Sequence, residues 1–174
     1  IISSHGNQIT TGMEPLDAFM GDGGIYVRSE DREAEGTLFY VDKYGWDLSA
    51  NEGNWPQITR DWLDDAANAD INVVMWSWCQ ILGHDGGDDP GYCSRMEELI
   101  AEYGPGGTKI TSGERVEPVQ FVFMTGHVNG QGEGGTTDVI NTYIRDHCVA
   151  NNRILFDFAD IEVYDPDDNY FLDD

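Results

Sequence analysis

The residues with chemical capability in this chain sit where apolar runs stop. Two isoleucines lead into Ser3-Ser4-His5-Gly6. The run 73–76 leads into Ser77-Trp78-Cys79-Gln80, the run 121–124 into Thr125-Gly126-His127, and Phe156 into Asp157-Phe158-Ala159-Asp160. A hydroxyl, an imidazole and a carboxylate are the parts of an activated nucleophile: serine attacks, histidine takes its proton, and the acid orients the histidine. A serine on the turn 3–6 is exposed, and N–H groups at the start of a following helix can hold an oxyanion. The competing role for Ser3 or Ser4 is a plain turn cap. His127 ends a strand and is the best internal base, with Asp157 or Asp160 to orient it. Its competing role is a hydrogen-bonded residue at a loop entry. His5 is adjacent to the serine and does not face it, so it is grouped with substrate contacts, as is Asn129. Trp76 and Trp78 alternate about Ser77 and share one face, an arrangement that suits a sugar ring as well as a core.

A second chemistry is metal binding. Asp165, Asp167 and Asn169 place oxygens at the first, third and fifth positions of a short loop, as calcium loops do. The pattern lacks the glycine and the distal glutamate of an EF-hand, and an Asx turn after Pro166 accounts for it equally. The Gly/Asp run 85–89 is a second, weaker candidate. Structural Ca2+ is therefore the cofactor expectation, and hydrolysis itself needs none. The glycine-rich run 130–135 lacks the Lys-Ser/Thr of a phosphate loop.

These residues need a scaffold that brings strand ends together. Apolar spacing predicts helices over about 6–20, 55–68, 96–103 and 136–148, and strands over 37–41, 70–76, 119–124 and 153–156. Leu16, Phe19 and Met20 form the expected apolar face of the first helix. Val139, Ile140, Tyr143, Ile144 and Cys148 form that of the last. Gly104-Pro105-Gly106-Gly107 is a strong helix stop. Alternating strands and helices predict an α/β fold: a flavodoxin-like three-layer α/β/α sandwich with a mostly parallel, doubly wound sheet. Such sheets bind ligands at the carboxyl ends of their strands. Residues 21–53 read as an irregular insertion in a single domain covering 1–174.

The chain has 174 residues and a formal charge of −24, from 33 acidic against 9 basic residues. Nucleic-acid partners require a basic footprint and are excluded. Lysine is confined to Lys43 and Lys109, which fits a salty or calcium-containing extracellular setting. No apolar stretch of the roughly 18 residues needed to span a bilayer occurs. Cys79, Cys93 and Cys148 show no CxxC spacing, so zinc is disfavoured. One disulfide plus a thiol, or three buried thiols, both satisfy the count.

The ordered set SSHGNQITTGM, INVVMWSWC, VQFVFMTGH and IRDHCVANNRILFDFADIEVYDPDDNYF resembles a group of secreted bacterial proteins of poorly defined function. That group is similar to the SGNH (GDSL-like) hydrolase superfamily. The resemblance covers nearly the whole chain apart from 21–53. It implies a flavodoxin-like fold, secretion, and hydrolysis of esters, including acylated carbohydrates. By position it makes Ser4 the nucleophile. The segment 76–80 falls where the superfamily has a Gly-x-Asn-Asp block; no asparagine stands there, and Gln80 is the residue able to donate to an oxyanion. The superfamily's Asp-x-x-His pair after the last strand is not among these residues. The expectation is that the sequence is a piece of a longer polypeptide, incomplete at both ends.

Two other functions compete with a serine esterase. One is a carbohydrate-binding module without turnover. The other is a calcium-stabilised extracellular module that takes part in an assembly.

Overall fold

The computed structural model describes residues 4–21, 27–41, 53–76, 78, 81, 91–130 and 132–170. The chain divides into two compact units, Ile1–Tyr44 and Gly45–Asp174.

In the first unit, helix α1 spans Ser4–Met20 and contains Pro15. Its position matches the sequence expectation, but its buried face does not. Thr10 and Asp17 are buried, while Leu16, Met20 and above all Phe19, at 85% exposure, face outward. Strands β1 (Arg28–Ser29) and β2 (Leu38–Phe39) pair in parallel, Arg28 with Leu38 and Ser29 with Phe39. The segment 37–41 thus yields a strand as expected, and its partner lies within the stretch read as irregular. Arg32 lies over the Phe39 ring at 4.7 Å, a cation–π contact that ties the intervening turn to β2.

The second unit carries the larger sheet. Helix α2 (Trp55–Leu63) starts with Pro56 in its first turn, where a missing N–H costs nothing. A short 3-10 turn, Ala66–Asn68, is capped by the Asp65 carboxylate. Strand β3 (Val73–Met75), helix α3 (Tyr92–Tyr103) and the short helix α4 (Thr108–Thr111) follow. Then come β4 (Gln120–Met124), α5 (Thr136–Asn151), β5 (Ile154–Phe156) and α6 (Phe158–Val163). The three strands form a parallel sheet in the order β3-β4-β5, with Val74 opposite Phe121 and Phe123 opposite Leu155. The protein is therefore mixed α/β, with parallel strands in two small sheets. Helices α4 and α6 are additions to the expected elements.

Helix α3 stops where the glycines foretold. A Cβ on Gly104 would lie 2.6 Å from the Ile100 carbonyl oxygen, so no larger residue fits. Helix α5 ends at Asn152, whose φ of 51° is left-handed, a conformation asparagine tolerates. The buried face of α5 consists of Thr137, Asn141, Ile144 and Cys148, while Val139 is exposed. The helix is therefore rotated from the purely apolar face expected of it. Two polar side chains point inward because both have work there.

An aromatic cluster fills the core against β3. Trp55 lies 5.3 Å from both Trp76 and Trp78, and Tyr92 lies 5.2 Å from Trp78 and 5.7 Å from Phe123. The Tyr92 hydroxyl donates to the Trp76 carbonyl at 3.1 Å and accepts the Met124 N–H at 3.0 Å. It thus links the ends of β3 and β4 just beyond their last backbone pair, Met75 with Val122. Burial pushes its pKa far up, so it stays protonated.

At the opposite end, buried Arg115 anchors the entry to β3. Its guanidinium donates to the carbonyls of Leu63 (2.9 Å), Ala69 (3.1 Å), Asn68 (3.4 Å) and Ile71, and its Nε to that of Glu117 (2.9 Å). Among the described residues no helix is long and apolar enough to cross a membrane.

Candidate functional site

The site grows from the carboxyl end of β4. The strand delivers Thr125, Gly126 and His127 in succession, and each is gripped by a different element. Thr125 is fully buried; its hydroxyl donates to Asp157 Oδ1 at 2.9 Å and accepts the Ala159 N–H at 2.9 Å. Gly126 donates to Asn141 Oδ1 at 2.8 Å, and Asn141 Nδ2 donates back to the Gly126 carbonyl at 2.9 Å. Nδ1 of His127 meets Glu162 Oε1 in a short hydrogen bond, and Glu162 Oε2 accepts the Val128 N–H at 2.9 Å. The His127 side chain is 26% exposed, so the pair sits at the surface with its geometry held from beneath.

Helix α6 exists because Asp157 starts it. Its carboxylate accepts the Asp160 N–H at 3.3 Å, an N-cap. The same carboxylate receives a fork from Arg145: Nε at 2.6 Å and Nη2 at 3.0 Å. Burial works against the Arg145 charge, and Asp157 outweighs it, leaving the guanidinium pKa raised. Asp157 is thus committed to Thr125, Arg145 and the helix cap. The carboxylate that meets His127 is Glu162, one turn and a half farther along the chain. Sequence reading missed it because nothing announced a helix at 158–163, and only that helix turns Glu162 back toward β4. Asn141 was missed for a related reason. Its signal was an amide on the inward stripe of an otherwise apolar helix.

A cleft of about 310 Å3 is lined by chain neighbours of the pair, Val128 and Val163, and not by His127 or Glu162 themselves. Val128, Ala159 and Val163 supply its apolar lining, with Tyr164 and Tyr170 packed against them. Glu133, Asp138, Arg145, Asp160 and Asp168 supply charged lining. The cleft and the pair share elements: Val128 follows His127, and Val163 follows Glu162. Tyr164 donates to Glu133 Oε1 at 2.5 Å, joining the glycine-rich loop to the segment after α6. That bond to a carboxylate is the main cause that pushes the Tyr164 pKa up to about 12.

The other expected site residues fall as follows. Ser4 and His5 form the first turn of α1, and their side chains lie outside the described set. Gln80 and the Gly/Asp run 85–89 also lie outside the described residues. Asn129 is exposed in a tight turn with φ 57°. Trp76 is a correction. It is 2% exposed, its Nε1–H donates to Thr59 Oγ1 at 2.9 Å, and its ring stacks on Trp78 at 5.6 Å. A ring so enclosed is core and presents no open platform. Trp78 belongs to the same cluster and is only partly covered.

Asp165 and Asn169 do come together, but as acceptor and donor. Asp165 Oδ1 accepts the N–H groups of Asp167 and Asn169, each at 2.9 Å, and the Asn169 amide donates to both carboxylate oxygens at 3.2 and 3.0 Å. These bonds, the Asn169 side chain first, lower the Asp165 pKa. The turn is closed by an antiparallel bridge between Tyr164 and Tyr170. Asp167 contributes its backbone N–H to this arrangement.

His147, on α5, packs against α3 and β4. It meets Glu97 at 3.0 Å, and its ring lies 5.5 Å from Phe123. Cys93 and Cys148 are both buried.

Comparison of the chain with protein-family models, with curated proteins and with solved structures returns no match.

Proposed function

We propose that this chain is a serine-type ester hydrolase built on an SGNH-like, flavodoxin-like three-layer fold. In this reading His127 is the general base and Glu162 orients it. The single observation that carries the reading is the Glu162 carboxylate on Nδ1 of His127 at the carboxyl rim of a parallel sheet. A carboxylate on Nδ1 holds the ring proton there and leaves Nε2 as the basic nitrogen, and it stabilises the imidazolium formed when that nitrogen takes a proton. Ser4 enters as nucleophile from the first sequence motif alone. The cleft near the pair is the place for the substrate, an ester of the class that includes acylated carbohydrates. Its size stands at the low end of small-molecule sites. The setting is extracellular, in keeping with the acidic composition.

The test is labelling with a fluorophosphonate, which modifies only an activated serine. The reading expects one adduct, mapped to Ser4 by peptide mass spectrometry. An adduct elsewhere, or none in the wild type, overturns it.

The cleft also favours a second reading, a carbohydrate-binding module without turnover. Glycan binding at the cleft without ester hydrolysis would select it.

A further inference from the structure

We infer that Asn141 is the positioning residue for His127, an inference that depends on the hydrolase reading only for its activity arm. Asn141 is 0% exposed and sits on α5, fifteen residues from the loop it holds. Its amide spends both ends on one residue: Oδ1 takes the Gly126 N–H and Nδ2 gives to the Gly126 carbonyl. Those groups belong to the two peptides on either side of the Gly126 Cα. The second of these peptides carries the chain into His127. One buried side chain therefore sets the backbone from which the imidazole projects.

Gly126 is also held from the side. A Cβ there would lie 3.0 Å from Ile81 Cγ2 and 3.1 Å from Ile81 Cβ. The loop is thus pinned between Ile81 and the Asn141 amide, with Thr125 bound below and Glu162 waiting at the next residue. An apolar residue of similar volume at 141 would fill the core but leave two buried backbone groups unsatisfied. The His127–Glu162 bond forms without rearrangement because both its residues start from fixed backbone. Losing that alignment by an ångström or so costs about 100-fold in rate.

The experiment reads the shared proton directly. The Nδ1 proton of His127 is observed by low-field proton NMR and assigned by its loss in Glu162→Gln. Asn141→Ala and Gly126→Ala, the second of which displaces the same peptides against Ile81, are each expected to remove or move that resonance while circular dichroism shows a folded chain. Thr59→Val is the control. It removes a buried hydroxyl that accepts the Trp76 Nε1–H elsewhere in the core, and it is expected to lower the melting temperature and leave the resonance in place. Should Asn141→Ala fail to fold, Asn141→Ser is read in its stead, since its short hydroxyl cannot span both Gly126 groups. An unchanged resonance in the folded position-141 variant overturns the inference. So does loss of the resonance in Thr59→Val, which would make it a reporter of general stability. In the activity arm, kcat falls about 100-fold with KM within a few-fold. A resonance that responds as expected in a protein that turns over no ester retains the positioning role and rejects the hydrolase reading.

Discussion

Glu162 and His127 are joined through Oε1 and Nδ1, while the other oxygen of the same carboxylate takes the N–H of the very next residue, Val128, at 2.9 Å. The acid therefore fixes both the ring and the backbone that carries it. Glu162→Gln keeps the shape and removes the charge. Under the proposed function it lowers kcat for ester hydrolysis by about 10²- to 10⁴-fold, the range of the general-base catalysis that His127 loses when its orienting acid is removed. Steady-state kinetics on a chromogenic acetate ester check this. A variant within twofold of wild type would remove Glu162 from the mechanism.

Glu97, on α3, ties down α5 and the residue that leads into β5. It receives a fork from Arg153 at 2.8 and 2.5 Å and contacts His147 at 3.0 Å. Burial raises its pKa, and the bonds from Arg153 and His147 more than offset that, so the folded pKa lies below the ordinary value. The unfolded chain then binds the proton more readily. The contribution of Glu97 is complete above the ordinary carboxylate pKa and is lost as pH falls through the depressed one. Glu97→Gln should reduce stability by about 1 kcal/mol at pH 7, with the gap closing in acid. Urea denaturation at pH 7 and at pH 3 measures it; a gap that persists at pH 3 assigns the loss to packing.

Arg115 stabilises the fold through its cage of carbonyls. Removing it strands several buried acceptors at once. Arg115→Ala should cost about 3 kcal/mol in urea unfolding at constant m, and Arg115→Lys should recover only part, because an ammonium cannot reach carbonyls arranged for a planar fork. Full recovery by lysine would show that charge alone matters there.

The Cys148 thiol is pushed up to about 11, chiefly by burial, with the charges of Glu97 and Asp157 adding to it. At pH 8 only about a thousandth of it is thiolate, the reactive form. Iodoacetamide should therefore leave Cys148 unmodified in the native protein and alkylate it fully in urea. Peptide mapping distinguishes the two, and rapid native labelling at Cys148 would contradict its buried setting.

Much of the second unit was legible from the chain alone. The runs at 73–76, 119–124 and 153–156 became β3, β4 and β5, with Phe121, Phe123 and Met124 buried on the central strand and Val73 and Ile154 exposed on the outer two. Gly104 and Gly107 closed α3 because a side chain at either has no room. Helix faces were less legible. Leu16, Phe19 and Met20 are apolar yet exposed, and Asn141 and Thr137 are polar yet buried. Periodicity counts only the water side of the balance, and a buried amide is stable wherever two backbone groups need it.

The sequence by itself determined that a histidine would stand at a strand end and that carboxylates would follow the next strand, since both are consequences of local patterning. Which carboxylate meets the histidine was decided by tertiary structure. Asp157 is nearer in sequence to its strand, but Arg145 and Thr125 claim it, and it then caps α6. That helix, not the strand, carries Glu162 back to His127. Hydrogen-bond geometry is settled between elements distant along the chain, and no local spacing encodes it.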